Sequence, residues 1–151
     1  MKLEILDYKM KSSLLLLATT VIAVGAWYFL QPNANSAANQ QPLPDGALVA
    51  VVLPASLTEP ELMGNRGYDA VCAACHGANG QGRDGIAPPL VHRIYEPSHH
   101  GDTAFLMAVR QGVRAHHWQF GDMPPVAGLT DDDVTKIVAY VRAVQRANGI
   151  N

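Results

Sequence analysis

Cysteine is nearly absent from this chain. Only Cys72 and Cys75 occur, with two residues between them. A pair so close cannot staple a small secreted fold, so a disulfide framework is excluded. The pair is instead a local chemical unit: a redox couple, half of a metal site, or a haem attachment. Charge is also scarce, at 16% of residues, and the net charge of −2 offers no footprint for nucleic acid. No alternating apolar and polar run long enough for a strand is present, and no segment repeats.

Lysine and arginine are missing altogether between Lys11 and Arg66, and residues 12–30 carry no charge of either sign. About 20 apolar residues span a bilayer core as a helix. Trp27 and Tyr28 stand at the far end of the run, where amphipathic aromatics favour the membrane boundary. Lys2, Lys9 and Lys11 lie on the near side, in residues 1–11. The positive-inside rule then puts the N-terminus in the cytoplasm and the rest of the chain outside the membrane, which in a bacterial inner membrane is the periplasm. A cleaved signal peptide is the competing reading, with Ser36-Ala37-Ala38 as its cleavage site and a soluble periplasmic product. The length of the run and its bulky end favour an uncleaved single-pass anchor. Either reading exports the remainder.

Residues 31–60 are rich in Asn, Gln, Ala and Pro, which reads as an extended linker. At about 3.1 Å per residue it reaches roughly 90 Å. An apolar patch at 48–53 is either a short strand or a segment lying on the domain.

Residues 61–151 carry helical signals and form the expected folded domain, giving an all-α fold class. A helix over 61–74 delivers the two cysteines. Asp102 is placed to cap a second helix over 103–111, closed by Gly112. Thr130 is placed to cap the last, with Asp131, Asp132 and Asp133 complementing its dipole. Val134, Ile137, Val138, Val141 and Val144 fall on one face of that helix, with Arg142, Gln145 and Arg146 expected mostly opposite.

The cysteines belong to the run Cys72-Ala73-Ala74-Cys75-His76, a C-x-x-C-H motif. Thiols three apart share one face of a helical turn and reach the two vinyl groups of one haem. His76, four residues after Cys72, faces the same way and reaches the iron. A thioredoxin-like pair would need a surrounding strand–helix pattern, and a zinc site would need a fourth ligand. The motif therefore predicts one covalent haem c.

From these residues, 61–148 resemble a class I c-type cytochrome of the membrane-anchored bacterial type. The resemblance implies a small all-α fold around one haem, with histidine and methionine as axial ligands. Gly64 and Tyr68 resemble the family's small and aromatic positions on the first helix, and Ile137 and Tyr140 their counterparts on the last. In Ala87-Pro88-Pro89-Leu90, the resemblance gives Pro88 the carbonyl that orients the axial histidine and Leu90 the cover of the haem pocket. Met123, in Gly121-Asp122-Met123-Pro124-Pro125, matches the family's methionine loop. Two prolines stiffen the backbone after it. Met107 is the second candidate. Iron with both axial positions filled favours electron transfer over catalysis.

Five further histidines depart from that pattern: His92, His99, His100, His116 and His117. Two adjacent pairs read either as polar surface beside the haem or as a second metal site, with imidazoles suited to copper. Replacement of Met123 by one of them is a third reading. Arg114 and Trp118 are candidates for contact with the haem propionates. From Leu62 onward eight basic residues balance eight acidic ones, so no strongly charged partner is expected. The expected function is electron transfer between periplasmic or membrane redox proteins, without catalysis by the chain itself. The alternatives are a haem subunit or sensor of a periplasmic enzyme, with the histidine pairs on copper, and an open-site peroxidase.

Overall fold

Thr58 begins the helical part of the chain. In the computed structural model, which describes residues 43–151 together with Gly25 and Trp27, Thr58 is extended and shares a capping box with Glu61. The Glu61 carboxylate accepts from the Thr58 N–H at 2.7 Å and from its hydroxyl at 2.8 Å. Helix α1 therefore runs Glu59–Gly67, two residues earlier than expected, with Pro60 in the first turn where its missing N–H is no loss. The helix expected over 61–74 is three pieces. After α1 comes a widened π turn, Tyr68–Cys72, in which Ala73 N–H reaches the carbonyl of Tyr68. Then α2, Ala73–His76, stops at Gly77, whose φ of +74° suits glycine.

Helix α3 spans Asp102–Gln111. Asp102 does not cap it. Gly101 holds the N-cap position, and the Asp102 carboxylate instead accepts from Arg142 Nε at 2.8 Å. Helix α4, Asp131–Ala147, is capped as expected: Thr130 Oγ1 accepts from Asp133 N–H at 3.2 Å, and the Asp133 carboxylate accepts from Thr130 N–H at 2.9 Å.

Helices α1 and α4 pack directly. A side chain at Gly64 would collide with the carbonyl of Lys136, so only glycine permits the approach. Beside it the Tyr68 and Tyr140 rings lie 5.6 Å apart, buried with Val141 and Val144. Arg142 and Gln145 correct the expectation for α4, because both are buried in the same helix. Eleven residues is close to three full turns, so Gln145 returns to the face of Val134. Its amide donates to the carbonyl of Leu90 at 2.7 Å. Arg142 donates to the carbonyls of Tyr95, at 2.6 Å, and of His100.

Residues 46–57 fall within the span whose composition reads as linker, and they lie along the domain. Leu48 and Val49 donate to the carbonyl of Gln81, at 3.2 and 3.1 Å. The Asn148 side-chain amide grips both backbone groups of Val52, accepting at 2.9 Å and donating at 2.8 Å. Val49, Val51 and Leu57 pack on the core. Among the described residues the only β pairing is two isolated bridges, Arg83 with Ala87 and Val113 with Met123. No helix among them is long and apolar enough to cross a membrane. Apart from Gly25 and Trp27, the anchor expected at 12–30 lies outside the described residues.

Candidate functional site

Cys72 closes the π turn, and Cys75 and His76 follow in α2. All three line one apolar cavity of about 420 Å³. Both thiols are free, Cys72 half-buried and Cys75 exposed. Burial, and secondarily the neighbouring Cys75, pushes the Cys72 thiol up to about 11. A redox-active cysteine needs the reverse shift, because the thiolate is the nucleophile.

His76 Nδ1–H donates to the carbonyl of Pro88 at 2.9 Å. That bond leaves Nε2 with its lone pair free. Burial holds the imidazole below its ordinary protonation range, with the Pro88 carbonyl acting in the opposite direction. The Pro88 loop is braced locally. Arg83 and Ala87 exchange backbone bonds at 3.0 Å, Gly82 N–H donates to the carbonyl of His76 at 2.7 Å, and Leu90 N–H to that of Gly80 at 2.9 Å. Pro88 and Leu90 both line the cavity.

Met123 enters the same cavity from the loop after α3. Its N–H and carbonyl pair with those of Val113, both at 2.9 Å, and Val126 N–H donates to Val109 at 2.8 Å. Gly112, at φ +73°, lies so close to the Met123 carbonyl that a Cβ would strike it. These contacts close the base of the loop and set where the Met123 thioether can go. Met107, on α3, also lines the cavity but is 42% exposed. Val134, Ile137, Val138 and Val141 of α4 supply apolar wall. Trp118 is on the wall as well, stacked on Phe120, with its buried Nε1–H near Tyr95 but outside hydrogen-bond geometry. Arg114 is exposed and does not line the cavity.

The histidine pairs meet at the edge of this cavity. His99 Nε2 and His117 Nε2 are 3.4 Å apart. One ring nitrogen each from His99, His100 and His117 lies within 4.8 Å of the other two. His116 stands outside that group, with Nδ1 2.8 Å from the carbonyl of Arg114. His92 accepts from Ile94 N–H at 3.2 Å and stands edge-on to Trp118. Slight desolvation and the neighbouring imidazoles His116, His100 and His99 lower the protonation range of His117.

Arg142, expected opposite the apolar face of α4, is instead buried and ties the carbonyls of Tyr95 and His100 to that helix. Its place beside the apolar stripe, four residues after Val138, was the available signal.

The donor set fits a haem better than a small ion. Among the described residues, Cys72, Cys75 and His76 do not form a metal-sized group. What they share is an apolar cavity that also receives a thioether and an orphaned indole N–H. A flat apolar macrocycle with a metal centre and acidic edge groups uses every one of these. No curated protein matches the chain. The family model for Cytochrome c matches residues 63–145.

Proposed function

Because the chain belongs to the cytochrome c family, which carries haem c covalently, we propose that it is a membrane-tethered, single-haem electron carrier of the class I type. Cys72 and Cys75 are the attachment residues, and His76 and Met123 the axial ligands. Family membership makes it an electron-transfer protein, not a catalytic enzyme by itself, and implies an extracytoplasmic haem domain.

The observation that carries the finer reading is that His76 and Met123 reach one apolar cavity from separately braced backbones. When bound, haem c supplies a one-electron iron couple. The chain's own residues do the rest. The Pro88 carbonyl fixes the imidazole so that Nε2 is the bonding nitrogen. Gly112 and Val113 hold the Met123 loop against α3. The valines and Ile137 of α4 keep water out and the dielectric low. Trp118 Nε1–H is free to donate to an acidic edge group. A haem held by both His76 and Met123 would offer no open position to oxygen or peroxide.

Tethering through residues 12–30 raises the local concentration of partners in the same membrane. Those partners are redox proteins of the membrane or periplasm. A second reading, a haem subunit or sensor with a copper site, draws support from the 3.4 Å approach of His99 to His117. Spectroelectrochemical titration of the holoprotein tests the carrier reading. A single, reversible one-electron transition with no turnover of added peroxide is expected. Peroxide turnover at an enzymatic rate would make it an enzyme instead.

A further inference from the structure

We propose that His99, His100 and His117 form a three-imidazole site for a divalent late transition-metal ion, zinc or copper, at the edge of the cofactor cavity. Two nitrogens bound to one tetrahedral zinc at about 2.0–2.1 Å stand roughly 3.4 Å apart. His99 Nε2 and His117 Nε2 are separated by 3.4 Å, so this pair already stands at the chelating distance. The third ring joins the group within 4.8 Å.

The three rings are held by backbone from two separate loops. His99 and His100 N–H both donate to the carbonyl of Glu96, at 3.0 and 2.8 Å, which makes a tight turn. His100 Nδ1–H donates to the carbonyl of Ile94 at 2.6 Å. Its Nε2 is then the nitrogen with a free lone pair, as in metal-ligating histidines whose other nitrogen is occupied. Arg142 of α4 donates to the His100 carbonyl and ties this turn to the helix. His117 comes from the loop whose base is closed by the Val113–Met123 bridge. An imidazole-only donor set of this kind suits zinc and copper over magnesium or calcium, which take oxygen ligands. Three ligands leave a fourth position for water or a donor from another molecule.

His100 and His117 also line the cofactor cavity. A dication held there favours the more electron-rich, ferrous state of the haem and raises its midpoint potential. This consequence rests on the electron-carrier reading. Metal binding itself does not.

The competing account of the 3.4 Å approach is an ordinary hydrogen bond between His99 and His117, and zinc separates the two. Zinc chloride is titrated calorimetrically into the ferric holoprotein near neutral pH, and the midpoint potential is then measured with and without zinc. About one equivalent should bind. H117Q should weaken it more than the roughly 10–100-fold typical of altered supporting contacts, and H99Q/H117Q should abolish it. His99 is exposed and does not line the cavity, so H99Q, which should weaken zinc as H117Q does, should keep the wild-type haem spectrum. H116Q should leave binding nearly unchanged. Zinc should raise the midpoint of the wild type and not that of the double variant. No stoichiometric binding, binding that survives H99Q/H117Q, or equal loss in H116Q would overturn the site. Stoichiometric binding without a change in midpoint would overturn its link to the haem. Loss of the reversible couple with zinc binding intact would count against the carrier reading alone.

Discussion

Gly64 sets how near α1 can come to α4. Its missing side chain leaves room for the backbone at Lys136 and Ile137, and that approach brings Tyr68 against Tyr140. The Tyr68 hydroxyl donates to the Gly77 carbonyl at 2.8 Å, and the Tyr140 hydroxyl to Asn79 Oδ1 at 2.8 Å. One glycine thereby positions the turn that follows His76. Gly64→Ala should destabilise the holoprotein by about 1–3 kcal/mol or more, because the clash is with backbone and not with a movable side chain. Chemical denaturation reads this directly, and an unchanged midpoint would show that the helices separate at little cost. At this scale the cofactor was legible in advance, because the C-x-x-C-H run predicts the covalent haem c that the family carries. Cys72, Cys75 and His76 are a local code, with spacing that needs no tertiary knowledge. The burial of Arg142 and Gln145 was harder to see, because polarity argued for solvent while the helical period argued for the core. The period was the better guide for Gln145, which returns to the Val134 face and meets the Leu90 carbonyl.

Helix ends were legible where a side chain caps its own helix and misread where it has a competing partner. Thr130 with Asp133 is the first case, and Asp102, taken by Arg142, the second. Thr130→Ala should cost about 1 kcal/mol near neutral pH. The pH dependence has a definite sign. Bonds from the Thr130 hydroxyl and N–H lower the Asp133 carboxyl below its ordinary 3.8. A carboxyl depressed in the folded state stabilises it above the unfolded value, and that stability is lost as pH falls through the folded one. Denaturation curves of wild type and Thr130→Ala should therefore converge as pH drops below about 3.8. They should not merge fully, since Thr130 Oγ1 still accepts from Asp133 N–H. A gap that widens in acid would refute the cap. The π turn at Tyr68–Cys72 had no sequence signal. Its setting is tertiary: Tyr68 packs on Tyr140, and Cys72 lines the cavity.

Across the whole molecule, the proline-rich stretch shows why composition alone stops short. Prolines and small residues favour extended chain whether it is free or laid on a surface. What holds residues 46–57 to the domain is Gln81 and Asn148, distant in sequence. The uncharged run at 12–30 predicts a mature protein that keeps its N-terminus and stays with the membrane fraction. N-terminal sequencing checks this, and a product beginning at Asn39 would mean cleavage after Ala38. As proposed above, His76 and Met123 would close both faces of a covalently held haem, so that the protein carries electrons without binding substrate at iron. Carbon monoxide added to the reduced holoprotein tests it most directly. The wild-type spectrum should not change, and Met123→Ala should acquire carbon monoxide binding while its haem stays attached to the polypeptide. Carbon monoxide binding by the wild type, or a Met123→Ala protein that remains closed to it, would rule out Met123 as the residue that closes the iron.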